Sequence, residues 1–249
     1  MKLIAALVLS IACLLPTVSN AESPRVVELF GCNFIEGKDM NDLQKVIEYY
    51  AQNRDKIGSS EVMKQSSGVW TPYRGNSQFD LIWGNAGLTL EEQGRANLAY
   101  DTSKQGQAIE ARFNEVLECP SSGFLVEEIL FDDRENLDSI EGNEFVLESY
   151  ACTLNPGKSL ADVDAALTAW RTPFSRAATQ GALVIKRTPV MMGAYDVFYT
   201  GVWDNIADFT AAASAMTQDP EAAASMSLLS AAHRCESGLW KWQRVVASE

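Results

Sequence analysis

Two aspartates stand within short aromatic runs, and their type and setting suit proton transfer. They occur in Phe79-Asp80-Leu81-Ile82-Trp83 and in Tyr195-Asp196-Val197-Phe198-Tyr199. In a strand, Asp80 and Asp196 project from the face opposite those aromatic neighbours. If that face looks into an enclosed cavity, desolvation raises both carboxyl pKa values, which makes the pair candidate catalytic residues. The plainer reading places each near a strand end, solvated or bonded to a neighbouring base. Trp70, Trp83, Tyr199, Trp240 and Trp242 are candidates to line an apolar ligand pocket, with core packing as the alternative. Lys38 and Lys158 each follow a glycine and are candidates to steer an anionic ligand, or are solvated turn residues. His233, the one histidine, reads as a general base or as a surface residue at a helix C-terminus. No nucleophile elbow, zinc-protease helix, glycine-rich dinucleotide loop or calcium loop is present, so no motif names a cofactor or metal.

The elements that must position these groups are written twice. Phe-Gly-Cys-Asn-Phe-Ile-Glu-Gly-Lys-Asp around Cys32 answers to Tyr-Ala-Cys-Thr-Leu-Asn-Pro-Gly-Lys-Ser around Cys152. Cys119 with Ser122-Gly123-Phe124 answers to Cys235 with Ser237-Gly238-Leu239. The offset is 120 residues at the first cysteine and 116 at the second, far longer than a solenoid unit. The pattern therefore predicts one domain duplicated.

Each copy carries the same order of signals. Opening strands are expected over Val26–Phe34 and Phe145–Leu154. Asp39 and Ser159 then stand as helix N-caps, with Asp42 and Asp162 three residues on. Helices follow with apolar residues at Leu43, Val46, Ile47 and Tyr50, and at Val163, Ala166, Leu167 and Trp170. Second strands are expected at Val69–Arg74 and Ala182–Val190, and third strands at Phe79–Trp83 and Tyr195–Thr200. Long helical segments run over Thr89–Glu118 and Asp204–His233, with breaks near Asp101-Thr102 and Asp219-Pro220. Fourth strands are expected at Phe124–Phe131 and Leu239–Val246.

The predicted fold is thus α+β: two tandem ferredoxin-like βαββαβ repeats, residues 22–131 and 145–249, joined by an acidic linker at 132–144. Each repeat covers one sheet face with helices and leaves the other bare. Packing the two bare faces together gives an intramolecular α+β barrel.

Residues 1–21 read as a signal peptide, with Lys2, an apolar Leu3–Leu15 stretch too short for a bilayer span, and small residues at the cleavage site. The alternative is a lipoprotein signal acylated at Cys13, although Ser10-Ile11-Ala12 lacks the usual leucine. The expected location is periplasmic or secreted. Four cysteines remain, and the duplication selects the pairs Cys32–Cys119 and Cys152–Cys235. A four-cysteine zinc site is the rival reading, but no C-x-x-C spacing supports it. The formal charge of −13 disfavours nucleic acid and anionic membranes as partners.

The segment Phe198-Tyr199-Thr200-Gly201-Val202-Trp203-Asp204-Asn205-Ile206-Ala207-Asp208-Phe209, an aromatic strand, polar turn and helix, resembles the dimeric α+β barrel superfamily. Antibiotic-biosynthesis-monooxygenase-like proteins belong to it, and the likeness covers most of both repeats. It implies a tandem fusion in place of a homodimer and chemistry without a cofactor. Haem-degrading members imply an Asn on the first strand, a Trp in the third and a His on the next helix. Asn33 and Trp83 fit the first two places, but the helix after Trp83 carries no histidine. Three readings of function remain. They are a binder of a small apolar or aromatic ligand between the sheets, a cofactor-independent monooxygenase or isomerase, and a structural or interaction module with a filled barrel. Whether the chain is a monomer or oligomer stays open.

Overall fold

A computed structural model describes residues 24–74, 77–133, 144–178, 182–190 and 194–247. The expected signal peptide and most of the expected linker lie outside them. The first half runs β1 (Arg25–Phe34), α1 (Met40–Asn53), a 3-10 turn (Arg54–Ile57), α2 (Ser60–Lys64), β2 (Ser66–Pro72), β3 (Leu81–Thr89), α3 (Leu90–Thr102), α4 (Lys104–Asn114) and β4 (Leu117–Asp132). The second runs β5 (Glu144–Leu154), α5 (Leu160–Ala177), β6 (Leu183–Pro189), β7 (Val197–Trp203), α6 (Ile206–Gln218), α7 (Pro220–Ala232) and β8 (His233–Val246).

Local chemistry sets the helix boundaries. Asp39 caps α1 by accepting from the backbone N–H groups of Asn41 and Asp42. Asp162 closes a capping box at α5, accepting from Ser159 N at 2.9 Å and Ser159 Oγ at 2.7 Å. Gly37 and Gly157, at φ 79° and 77°, make the left-handed turns that precede these caps. The long helical segments each divide in two. Ser103 ends α3 and caps α4, and Asp219 ends α6 and caps α7, where Pro220 cannot continue the preceding ladder.

Among the described residues eight strands form one closed antiparallel barrel in the order β1-β3-β2-β8-β5-β7-β6-β4. Within each half the order is fourth, first, third, second. Closure comes from β2 on β8 and β4 on β6, so neither half keeps a free sheet edge.

Strand alternation sends one set of side chains into the barrel and the other beneath the helices. The inner set includes Leu29, Trp70, Leu125, Phe145, Ile185 and Trp240, drawn from both halves and buried together. A charged pair also sits there: Arg187 Nε donates to Glu127 Oε1 at 2.8 Å, and the guanidinium also donates to Thr200 Oγ1. Aromatic and branched side chains from facing strands meet in the space between the sheets, where the sequence leads one to expect a ligand cavity. Two further cores lie under the helices, one in each half.

Disulfides join Cys32 to Cys119 and Cys152 to Cys235. In the second pair the cysteines stand directly opposite on β5 and β8. No helix among the described residues is long and apolar enough to cross a membrane.

Candidate functional site

A cavity lies in the second half, between the outer face of the sheet and helices α5, α6 and α7. Its volume is about 910 Å³. Apolar walls come from Leu167, Trp170 and Phe174 on α5, Met216 on α6, and Met226 and Leu229 on α7. On α5, the spacing of Leu167, Trp170 and Phe174 puts all three on the buried face of the helix.

The floor is polar at two places. On β5, Glu148 and Tyr150 occupy the same face, and Tyr150 Oη donates to Glu148 Oε2 at 2.8 Å. Burial pushes the Glu148 carboxyl above the ordinary carboxylate range, opposed in part by Tyr150 and by the neighbouring Trp203. Glu148 is only half-buried by surface because the cavity exposes one edge of it. Trp203 Nε1 is close to that carboxylate yet lacks hydrogen-bond geometry to any acceptor among the described residues. This nitrogen is buried beside that carboxylate rather than open to the cavity. Gly201 stands opposite Glu148 on β7, and a Cβ there would lie 2.5 Å from Glu148 Oε1. Its missing side chain makes room for the carboxylate.

The second polar place is formed by Tyr199 and His233. Tyr199 Oη and His233 Nε2 are 3.1 Å apart, and His233 Nδ1 lies 3.3 Å from Cys235 Sγ. Burial raises the Tyr199 phenol and lowers the His233 imidazole, which favours the neutral form of both.

The first half holds the corresponding but smaller cavity, about 430 Å³, bounded by β1, β3, α3 and α4. Glu28 on β1 takes the place of Glu148 and is buried. It accepts from Gln93 Nε2 at 3.0 Å and Asn97 Nδ2 at 3.0 Å. Desolvation raises its carboxyl, opposed by hydrogen bonds from Asn97, Asn85 and Gln93.

The residues expected from sequence separate into five places. Trp83 lines the first cavity and Tyr199 the second. Trp70, Trp240 and Trp242 belong to the barrel interior. Lys38 and Lys158 sit on exposed turns outside both cavities. Asp80 and Asp196 are exposed and precede β3 and β7 rather than lying within them. Asp80 Oδ2 accepts from Phe34 N at 2.9 Å and Asp196 Oδ2 from Leu154 N at 2.8 Å, so each holds the end of its half's first strand. Neither aspartate lines either cavity. Glu28 and Glu148 escape a reading of the sequence by motif. Their signal is a glutamate at matching places, 120 residues apart, in the two opening strands.

Among the described residues, the one cluster of cysteine and histidine does not offer free ligands to a haem iron or other metal. Cys152, His233 and Cys235 lie within 4.8 Å of one another, but the two sulfurs are bonded together. Both His233 nitrogens contact groups of the fold, so ligation of a metal through either would break the contact with Tyr199 or with Cys235.

No protein-family model matches the chain, and no curated protein matches it. Solved structures share its fold. A chlorite dismutase from Candidatus Nitrospira defluvii aligns at TM-score 0.54 and 11% identity, over 90% of this chain and 93% of that one. An anthrone oxidase-like protein aligns at TM-score 0.53 and 16% identity, over 90% and 95%. A heme-binding protein from Thermus thermophilus aligns at TM-score 0.51 and 10% identity, over 89% and 91%. These are chlorite dismutase-like and dimeric α+β barrel structures, and at such identities the likeness is one of fold.

Proposed function

We propose that this protein is an exported, tandemly duplicated α+β barrel that binds a small, largely apolar aromatic molecule beneath the helices of its second half. The observation that carries this reading is the 910 Å³ cavity, whose apolar walls converge on the single carboxylate of Glu148. Tyr150 donates to one oxygen of Glu148 and so holds the carboxylate in place to orient the polar end of a ligand. Export is supported by the two disulfides, which persist in oxidising compartments. The duplication is supported by the repeated strand order in each half. Native mass spectrometry of protein purified from its own host tests the binding. A co-purifying molecule in wild type, lost from G201F, supports it, and a bare chain under all conditions contradicts it.

A second reading, a cofactor-independent isomerase or oxygenase, is favoured by the raised Glu148 carboxyl. A carboxyl moved toward neutrality is a better proton acceptor and donor than an ordinary one. In an isomerisation, Glu148 takes a proton from one carbon of the bound molecule and returns it to another, with no net change in atoms. Oxygenation requires dioxygen as a second substrate. The filled barrel suits the structural reading for the interior, but that reading leaves the second-half cavity without a role.

A further inference from the structure

The cavity of the first half has a lining of its own, and the difference lies in the residues that would touch a ligand. Counting from the second cysteine of each half, Asp101 corresponds to Thr217, Glu110 to Met226 and Asn97 to Ala213. On the third strands Asn85 corresponds to Gly201, each opposite the glutamate of its half's first strand. The fold accepts small or apolar residues at all four positions, so packing does not demand the polar set.

Three carboxylates line this cavity: Glu28 at its floor, and the exposed Asp101 and Glu110 on α3 and α4. No lysine or arginine is among the lining residues. Glu28 is 6% exposed, and its hydrogen-bond partners Gln93 and Asn97 are neutral amides, so its charge has no counter-charge within the cavity. Such a charge is costly to bury unpaired.

The walls are aromatic. Trp83 and Phe113 meet at 5.0 Å and 75°, and Tyr50 stands 6.1 Å from Trp83 and 6.3 Å from Phe113, again edge to face. The rings form a corner. Trp83 Nε1 donates to Asn85 Oδ1 at 2.8 Å, which fixes the indole. Ring faces attract a positive group, and the Glu28 carboxylate lines the same cavity as these rings.

We propose that the first-half cavity is a binding site for a small organic cation of the alkylammonium or quaternary ammonium class, held by Glu28 and the Tyr50, Trp83 and Phe113 rings. It is a different cavity from the one assigned above and stands independently of that assignment.

Choline and its uncharged carbon isostere, 3,3-dimethyl-1-butanol, are the probes, titrated by calorimetry into the full-length protein. Choline binds saturably at one site, and the isostere binds at least tenfold more weakly. E28Q weakens choline at least tenfold while leaving binding of an apolar probe in the second-half cavity unchanged. If E28Q fails to fold, the D101N/E110Q double variant, changed only at exposed helix positions, reads the same loss at several-fold. Equal binding of choline and isostere, no binding of choline, or full affinity in the folded variants overturns the proposal.

Discussion

Tyr150 Oη donates to Glu148 Oε2 at 2.8 Å, and both side chains rise from one face of β5. Glu148 therefore keeps its charge form partly supported while its other oxygen stays at the cavity edge near Trp203 Nε1. The first half repeats the buried glutamate but surrounds it with amides. One backbone position thus serves two environments, apolar in the second half and polar in the first.

Stability should depend on pH through Glu148. A carboxyl raised in the folded state binds its proton more tightly there than in the unfolded chain. Its favourable contribution is complete below the unfolded value and is lost as pH climbs through the folded one. E148Q cannot ionise, so its Tm relative to wild type should rise from about pH 4 to neutrality. Thermal denaturation across that range checks this. A variant whose advantage shrinks as pH rises would show that the carboxylate is not desolvated.

Asp80 and Asp196 should prove structural. D80A and D196A each remove a bond to the backbone at the end of a first strand. Each should lower Tm by about 2–4 °C, as expected for one hydrogen bond in a chain of this size. Ligand binding, measured by calorimetry with whatever molecule co-purifies, should not change.

Each disulfide closes a long loop, with sequence separations of 87 and 83 residues. In the chain-entropy treatment either is worth about 4–5 kcal/mol. Urea unfolding of the C32S/C119S and C152S/C235S double variants should show losses of that order for each. A loss in one pair only would mean that the unfolded halves do not behave alike.

The barrel interior should be intolerant of truncation. Trp70 is 4% exposed and stacks on Phe198 at 6.2 Å, so W70A removes contacts between strands of opposite halves. The expected cost is about 3–5 kcal/mol, read by the same unfolding curves. A near-neutral result would reopen the interior as a cavity.

Most strands and both disulfides were legible in the sequence because alternation, turn residues and doubled cysteines are local or repeated signals. The 3-10 turn and α2 were not. Their few residues carry no long apolar period, and they are fixed instead by the buried Arg54, which donates to the carbonyls of Gln65, Met63 and Ala247. The site was only half legible. Trp83 and Tyr199 stood out as aromatics, but alternation cannot say which of two apolar sheet faces meets helices and which meets the other sheet. Trp70, Trp240 and Trp242 face inward for that reason. Starting the third strands at Phe79 and Tyr195 placed the aspartates inside them, whereas β3 and β7 begin two residues later.

A ligand held beneath α5, α6 and α7, and not within the barrel, is the central claim. Fluorescence titration with N-phenyl-1-naphthylamine, an uncharged aromatic that brightens in apolar surroundings, tests it most directly. Wild type should bind one equivalent saturably. A213W, which fills the cavity from α6, should bind at least tenfold more weakly, and L147A, which opens space in the barrel interior, should match wild type. Undiminished binding by A213W would contradict the claim.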